Sequence, residues 1–450
     1  MHLKLALRNV RRSVADYSVY FATLTFAACL LYAFTSSTDY LLALDLTPDQ
    51  RAIYEKAGGA MQAFSTFTVL VFAFLITYAN RFILRRRSHE FGTYALLGMG
   101  GGEMAVILAL EGTLVGAGAL AAGLALGCAA SPLFGAAAAF VFGVPWKPVL
   151  TWSPDAALWT AGSFAAVMAL ATLLGMRTMR QKSLGELMGA ARRPDQPRGL
   201  GRLTGRAQLI VGIALLAFVW GTCLLQPALF VGLMLPYGVV AVLGTGLIFR
   251  YTATRLPDFL RRRCPNWYWT SLHSFTLRQV EARVCASSNA MACVCALVAV
   301  AVCMITTGLA FSVGLRESPL GSGETLAPIA YAGIFYGATF LVTAAAVLAL
   351  QQLSEAADSL SRYRLLDDLG APRAMRVAAV RAQVGVYFVA PIAFALVHDA
   401  FGMLLVLFLS LALGATQLTA IIGGTVGGTL ALMGAYYLIT ARQCVRMLGR

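Results

Sequence analysis

Residues Arg81–Gly112 read RFILRRRSHEFGTYALLGMGGGEMAVILALEG, and the fold turns on how this stretch is placed. It begins where one strongly apolar segment ends, passes a basic cluster at Arg85, Arg86 and Arg87, and continues as a short amphipathic helix. A Gly-rich break follows. The chain then enters a second long apolar segment that carries a carboxylate, Glu111. An apolar helix needs about 20 residues to cross the ~30 Å hydrocarbon layer of a bilayer. The stretch therefore suits the foot of a membrane hairpin, with its charged connection left in water. The rest of the chain reads as membrane helices arranged around two such feet.

Composition agrees. Of 450 residues, 59% are apolar and only 12% are charged, with a mean hydropathy of +0.74. Soluble domains carry about 25% charged residues. A soluble protein could not hide this much apolar surface, so the class is an all-α polytopic membrane protein. The 35 Lys+Arg outnumber the 20 Asp+Glu, and they cluster between the apolar segments. That placement marks cytosolic loops and argues against nucleic acid as a partner. The nine cysteines are odd in number and form no CxxC pair, so neither a disulfide framework nor a metal site is expected. The first apolar run is too long for a secretory signal peptide, and no cleavage-like site follows it.

Ten spans are predicted: Tyr17–Phe34, Met61–Leu84, Met104–Cys128, Ala156–Gly175, Leu209–Leu225, Leu229–Phe249, Ala290–Val313, Ile329–Gln351, Val377–Val397 and Leu418–Thr440. They put every dense Lys/Arg segment on one side, with both termini cytosolic; the outer loops hold only Arg51, Lys56, Lys147 and Arg316. Met1–Ala15 fits either an interfacial helix on an anionic leaflet or a plain basic anchor. Gly and Ala in the third span favour close helix approach. Phe401–Leu413 is too short to cross alone and reads as an outer-leaflet or re-entrant helix. The implied organisation is an N-terminal segment at 1–16, a first four-span unit at 17–176 and a basic linker at 177–208. A central hairpin at 209–249, a basic segment at 250–289 and a second unit at 290–450 complete it.

The two units read as an internal repeat with pseudo-two-fold symmetry. Setting Gly98 on Gly370 matches Leu97-Gly98 with Leu369-Gly370 and sets Glu111 against Gln383. Both stretches run from a span, through a polar segment with Tyr94 or Tyr363 and a Leu-Gly pair, into the next span. The second foot, Leu353–Arg376, is the more acidic, with Glu355, Asp358, Asp367 and Asp368.

Catalytic machinery is missing from the sequence. There is no GxxxxGK[ST] phosphate loop, no HExxH, and the four histidines His2, His89, His273 and His398 are scattered. Nucleotide chemistry would need a partner. Glu111 inside a span fits either a functional site or a structural hydrogen bond between packed helices. Arg381 lies near enough to an interface to snorkel. The foot fits either a solvated loop or an element that an ATPase subunit grips to push on the spans.

The stretch Arg87, Glu90, Phe91, Gly92, Leu97, Gly98 and Glu111 resembles the signature of FtsX-like ABC transporter permeases. Leu7-Arg8-Asn9-Val10 with Arg12-Ser13, Asp16-Tyr17 and Tyr20-Phe21 is similar to the bacitracin-export (BceB-type) branch. So are Leu277-Arg278-Gln279-Val280 with Ser287-Ser288-Asn289, and Tyr387-Phe388, Pro391 and His398. The resemblance implies a ten-span, non-catalytic permease subunit with two FtsX-type units, served by two copies of a cytosolic ATPase that holds the ATP and Mg. It also implies a role in resistance to cell-wall-active peptides and a sensor histidine kinase as partner. Coupling to the ATPase is expected at Arg87, Glu90, Phe91, Tyr94, Gly98, Met99, Glu103, Tyr363, Asp368 and Gly370. The intramembrane polar positions are Glu111, Arg381 and Gln383. The branch carries a large extracellular domain between spans seven and eight, where this chain has about 14 residues, Gly314–Ala327. An outer-domain partner, or a lipid or lipopeptide as substrate, would fit that departure. Two other readings are an ion-coupled carrier using Glu111 as proton site, and a non-transporting sensor or scaffold for a kinase.

Overall fold

A computed structural model describes residues 14–42, 87–142, 152–181, 205–314, 327–412 and 416–448, with isolated positions at 8–9, 48, 69, 72–73, 76–77, 80, 83–84, 150 and 414. The expected segment Met1–Ala15, the second span Met61–Leu84, Arg85, Arg86, the Trp146–Lys147 loop, most of the basic linker and the loop after Gly314 lie wholly or largely outside them. The described residues are mostly helical, joined by short turns, and none of them lies in a strand.

The chain divides into two compact units, Met1–Pro194 with Glu324–Ala332, and Asp195–Gly323 with Gly333–Arg450. The first holds α1 (Val14–Leu42), α2 (Ser88–Leu96), α3 (Gly101–Phe142) and α4 (Pro154–Gln181). The remaining elements are α5 (Arg206–Leu225), α6 (Pro227–Gly232), α7 (Met234–Arg263), α8 (Pro265–Trp269), α9 (His273–Leu309), α10 (Ala327–Asp368), α11 (Arg373–Ala412) and α12 (Leu418–Met447). A π-helical turn, Ala310–Gly314, closes α9.

Among the described residues, eight helices are long and apolar enough to cross a membrane: α3, α4, α5, α7, α9, α10, α11 and α12. Within α1 the apolar core is shorter, Tyr20–Ala33. The protein is an all-α, multi-pass membrane protein. Its outward faces are apolar, as at Leu158 and Leu173 of α4 and Ile210 and Phe218 of α5, because lipid rather than water surrounds them.

Several helices outrun the bilayer. At 1.5 Å per residue, the 42 residues of α3 extend about 63 Å, twice the hydrocarbon thickness. The 40 residues of α11 run unbroken from Arg373 to Ala412 through Pro391. Phe401–Leu413 is therefore no separate outer-leaflet or re-entrant helix; through Ala412 it is the last part of α11. Its short apolar length could not have spanned alone, but a continuous backbone ladder makes it an extension of the preceding helix.

In the first unit, α1 and α3 pack along Gly123 and Gly127, one turn apart. A Cβ at Gly123 would sit 2.5 Å from the Ala28 Cβ, and one at Gly127 would sit 2.9 Å from the Cys29 carbonyl oxygen. Only glycine admits backbones this close, and in lipid, where no hydrophobic force drives helices together, dispersion at such a seam holds them. That packing fixes the helix on which Glu111 stands.

Candidate functional site

The foot is built by its own local chemistry. In α2, Glu90 in the first turn complements the positive end of the helix dipole. The helix ends in a Schellman turn: the Met99 N–H donates to the Tyr94 carbonyl at 3.0 Å and the Gly98 N–H to the Ala95 carbonyl at 3.1 Å. The turn needs a left-handed residue, and Gly98 supplies φ +90°. Three residues later, at Gly101, α3 starts, with the Glu103 carboxylate accepting the Gly100 N–H at 3.3 Å, half of a capping box.

This turn folds α2 back on α3. Phe91, fully buried, packs with Leu84, Met104 and Leu108, and Tyr94 and Met99 border that cluster. The Arg87 guanidinium lies 5.3 Å from the centre of the Phe91 ring and equally far from that of Tyr17. Arg87 and Glu111 are the centre of the site, 1% and 0% exposed. Arg87 Nη1 donates to both Glu111 Oε2 and the Tyr17 hydroxyl. The Tyr17 hydroxyl in turn donates to Glu111 Oε2 at 2.8 Å. Asn9 Nδ2 donates to Glu111 Oε1 at 2.8 Å and reaches the Tyr94 hydroxyl at 3.3 Å. Arg87 Nε donates to Glu90 Oε2 at 2.9 Å, and Glu90 remains partly in solvent.

The membrane carboxylate is thus neutralised by a cation from the foot, and both its oxygens are satisfied. A buried pair adds little net stability, but removing one partner strands a charge and costs about 3–5 kcal/mol. Movement of α2 relative to α3 would have to carry Arg87 with it. The arrangement ties the foot to the membrane helix.

The second foot repeats the turn at an offset of 272. The Ala371 N–H donates to the Leu366 carbonyl at 2.9 Å and the Gly370 N–H to the Asp367 carbonyl at 2.8 Å, with Gly370 at φ +82°. The helix after the turn begins at Arg373, as α3 begins at Gly101. Here the approach helix is α10 itself, which runs through to Asp368 as one element. Gln383, in register with Glu111, is buried and accepts the Tyr363 hydroxyl at 3.2 Å. In this register Tyr363 stands opposite Phe91, not Tyr94. Burial, against the nearby Arg283 and Arg362 charges, pushes the Tyr363 phenol up to about 12.

The second foot has its own ion pair, from different helices. Arg283 of α9 donates to Glu355 Oε2 of α10 at 2.9 Å, to the Glu355 carbonyl at 3.0 Å and to Ser359 Oγ. Sequence reading passed over Arg283 and Ser359, because neither stands beside the Leu-Gly pair. Asp368 is exposed, and the neighbouring Asp367 makes the ion pair, 2.7 Å from Arg376. Arg381 is exposed on α11 and is not drawn into the joint with Gln383. Tyr17 and Asn9 lay in the quoted motifs, but nothing in their spacing linked them to Glu111.

Residues 63–183, which contain the first foot, match the family described as FtsX-like permease C-terminal. The chain is 25% identical over 268 residues to the bacitracin export permease protein BceB of Halalkalibacterium halodurans, covering 58% of this chain and 40% of that protein. It is 28% identical over 181 residues to BceB of Bacillus subtilis, covering 40% and 27%. With YvcS of Bacillus subtilis, an uncharacterized ABC transporter permease, the identity is 24% over 272 residues, covering 59% and 40%. The aligned parts span less than half of each relative. Residues 63–183 are an FtsX-like permease domain, and the chain is homologous to the BceB permeases and to YvcS.

Proposed function

We propose that the chain is the membrane subunit of an ABC transporter, set in a bacterial cytoplasmic membrane with both termini in the cytosol. A separate cytosolic ATPase, two copies per permease, binds ATP and Mg and pushes on the feet. The permease passes that movement to its outer face for export, extraction or mechanotransmission. The observation that carries this reading is the Arg87–Glu111 joint, a buried ion pair that ties the half-buried helix α2 to a membrane helix. The homology to BceB and YvcS supports the same class. Resistance to peptide antibiotics, with a sensor kinase as further partner, is the role the BceB likeness favours. An outer-domain partner or a lipid substrate would answer for the short stretch after α9. As a proton carrier Glu111 is poorly suited, since Arg87, Tyr17 and Asn9 already occupy its oxygens.

The test is purification from the native membrane. An ABC ATPase should co-purify, and its hydrolysis should depend on this chain. Isolation of the chain as a lone protein with full carrier activity would overturn the reading.

A further inference from the structure

A second carboxylate is buried in the apolar helices, and no part of the coupling joint uses it. Asp399 lies in the second half of α11 and is 4% exposed. Its Oδ1 accepts a weak hydrogen bond from Cys303 Sγ of α9, at 3.5 Å. Its Oδ2 is buried with no hydrogen-bond partner. The two helices are at contact here, since a Cβ at Gly402 would come within 2.6 Å of the Cys303 sulfur.

Among the described residues, the surroundings hold no countercharge. On the same helix, His398 is turned towards α5 and α7, where Trp220 Nε1 donates to its Nδ1 at 3.1 Å. An Nδ1 that accepts carries no proton. Nε2, 2.9 Å from Thr245 Oγ1, therefore bears the hydrogen, and the imidazole is neutral. From α9, the titratable groups facing Asp399 are Cys303 and Cys295, and Cys223 of α5 lies beyond Cys303. No lysine or arginine among the described residues pairs with it. The contrast with Glu111, which holds an arginine and two further donors, is complete.

A carboxylate with one thiol donor and no cation is costly in such a place, whereas a neutral carboxylic acid is not. Nothing around the free oxygen indicates a metal, and no cluster of three or more His, Cys, Asp or Glu side chains occurs among the described residues. The ligand that fits a single unpaired carboxyl at a helix contact is a proton. We propose that Asp399 is a proton-binding site at the α9–α11 contact, where burial and a lone thiol donor favour the neutral carboxylic acid. The proposal stands on α9 and α11 alone and does not depend on the transporter reading.

The experiment uses the full chain in lipid nanodiscs and infrared difference spectra recorded across the pH range in which it stays folded. A protonated-carboxyl C=O band should be present, should shift in D2O, and should fade as pH rises. Asp399→Asn, the neutral isostere, should abolish it, and Asp258→Asn, at an exposed ion pair on α7, should not. Should the Asn variant fail to fold, Asp399→Glu should keep the band but move its frequency and midpoint. Absence of the band from the unaltered protein would overturn the proposal. So would its survival in Asp399→Asn, its insensitivity to Asp399→Glu, or an amplitude constant at every pH.

Discussion

Arg87 and Glu111 stand 24 positions apart and meet with almost no exposure. Glu111 stood out in the sequence because a carboxylate interrupts an apolar run. Arg87 stood out for a different reason, as part of a basic foot. Their pairing rests on the fold-back at Gly98, which no spacing rule contains. The pairing makes a specific stability prediction. Arg87→Met or Glu111→Leu alone should each destabilise the purified protein by about 3–5 kcal/mol, because the surviving charge is left buried. The double variant should lose less than either single one, and a double-mutant cycle on thermal unfolding in detergent checks this. In the second foot, Tyr363→Phe leaves the buried Gln383 oxygen without its donor and should cost about 1–3 kcal/mol in the same assay. Asp399 escaped sequence reading for a physical reason. A charged residue after Val397 reads as the end of a span, and only the unbroken ladder of α11 places it inside the helix.

The Schellman turns and the glycine seam decide the geometry at the scale of elements. Gly98 and Gly370 have open space around a would-be Cβ, so their requirement is for positive φ alone. Gly98→Ala should cost about 1–2 kcal/mol and misplace Arg87 relative to Glu111. Gly98→Asn should recover part of that loss, since asparagine tolerates the left-handed region. Gly123 differs: its Cβ would meet Ala28 and the α1 backbone at 2.5–2.9 Å. Gly123→Ala should therefore destabilise the protein through steric overlap, by about 1–3 kcal/mol in thermal unfolding, with asparagine giving no rescue. The Leu-Gly pairs were legible as a repeat because their turn chemistry is local. Their unequal partners, α2 in one case and the long α10 in the other, were not. Helix length past a span depends on packing rather than on hydropathy.

For the whole molecule, the orientation proposed from the positive-inside rule can be checked with the native cysteines. Cys264 is exposed beside Arg261, Arg262 and Arg263, whereas Cys223, Cys295 and Cys444 are buried. A membrane-impermeant maleimide should label Cys264 rapidly in inside-out vesicles and leave it unlabelled in right-side-out ones. Labelling from the outside would invert the topology. If the joint transmits force, the double variant Glu90→Ala/Gly98→Ala should reach the membrane in normal amounts while ATP hydrolysis by the co-purified ATPase no longer responds to the permease. A fully active double variant would remove the foot from the mechanism.

The sequence alone determined that this is an all-α, multi-pass membrane protein with a foot at Arg81–Gly112 and a weaker copy near Gly370. Those conclusions rest on apolar run length, charge placement and Gly-dependent turns, each set by a few neighbouring residues. Tertiary structure alone decided which polar groups meet. It gave Glu111 its cation from α2 and its further donors from Tyr17 and Asn9, and it built the second ion pair from Arg283 and Glu355. It also left Asp399 without a countercharge among the described residues. Inside a bilayer a polar side chain has no water to fall back on, so its meaning lies in the helix that packs against it. That neighbour is chosen by close-packed seams such as Gly123–Gly127, and for Glu111 it includes Tyr17, 94 positions away along the chain.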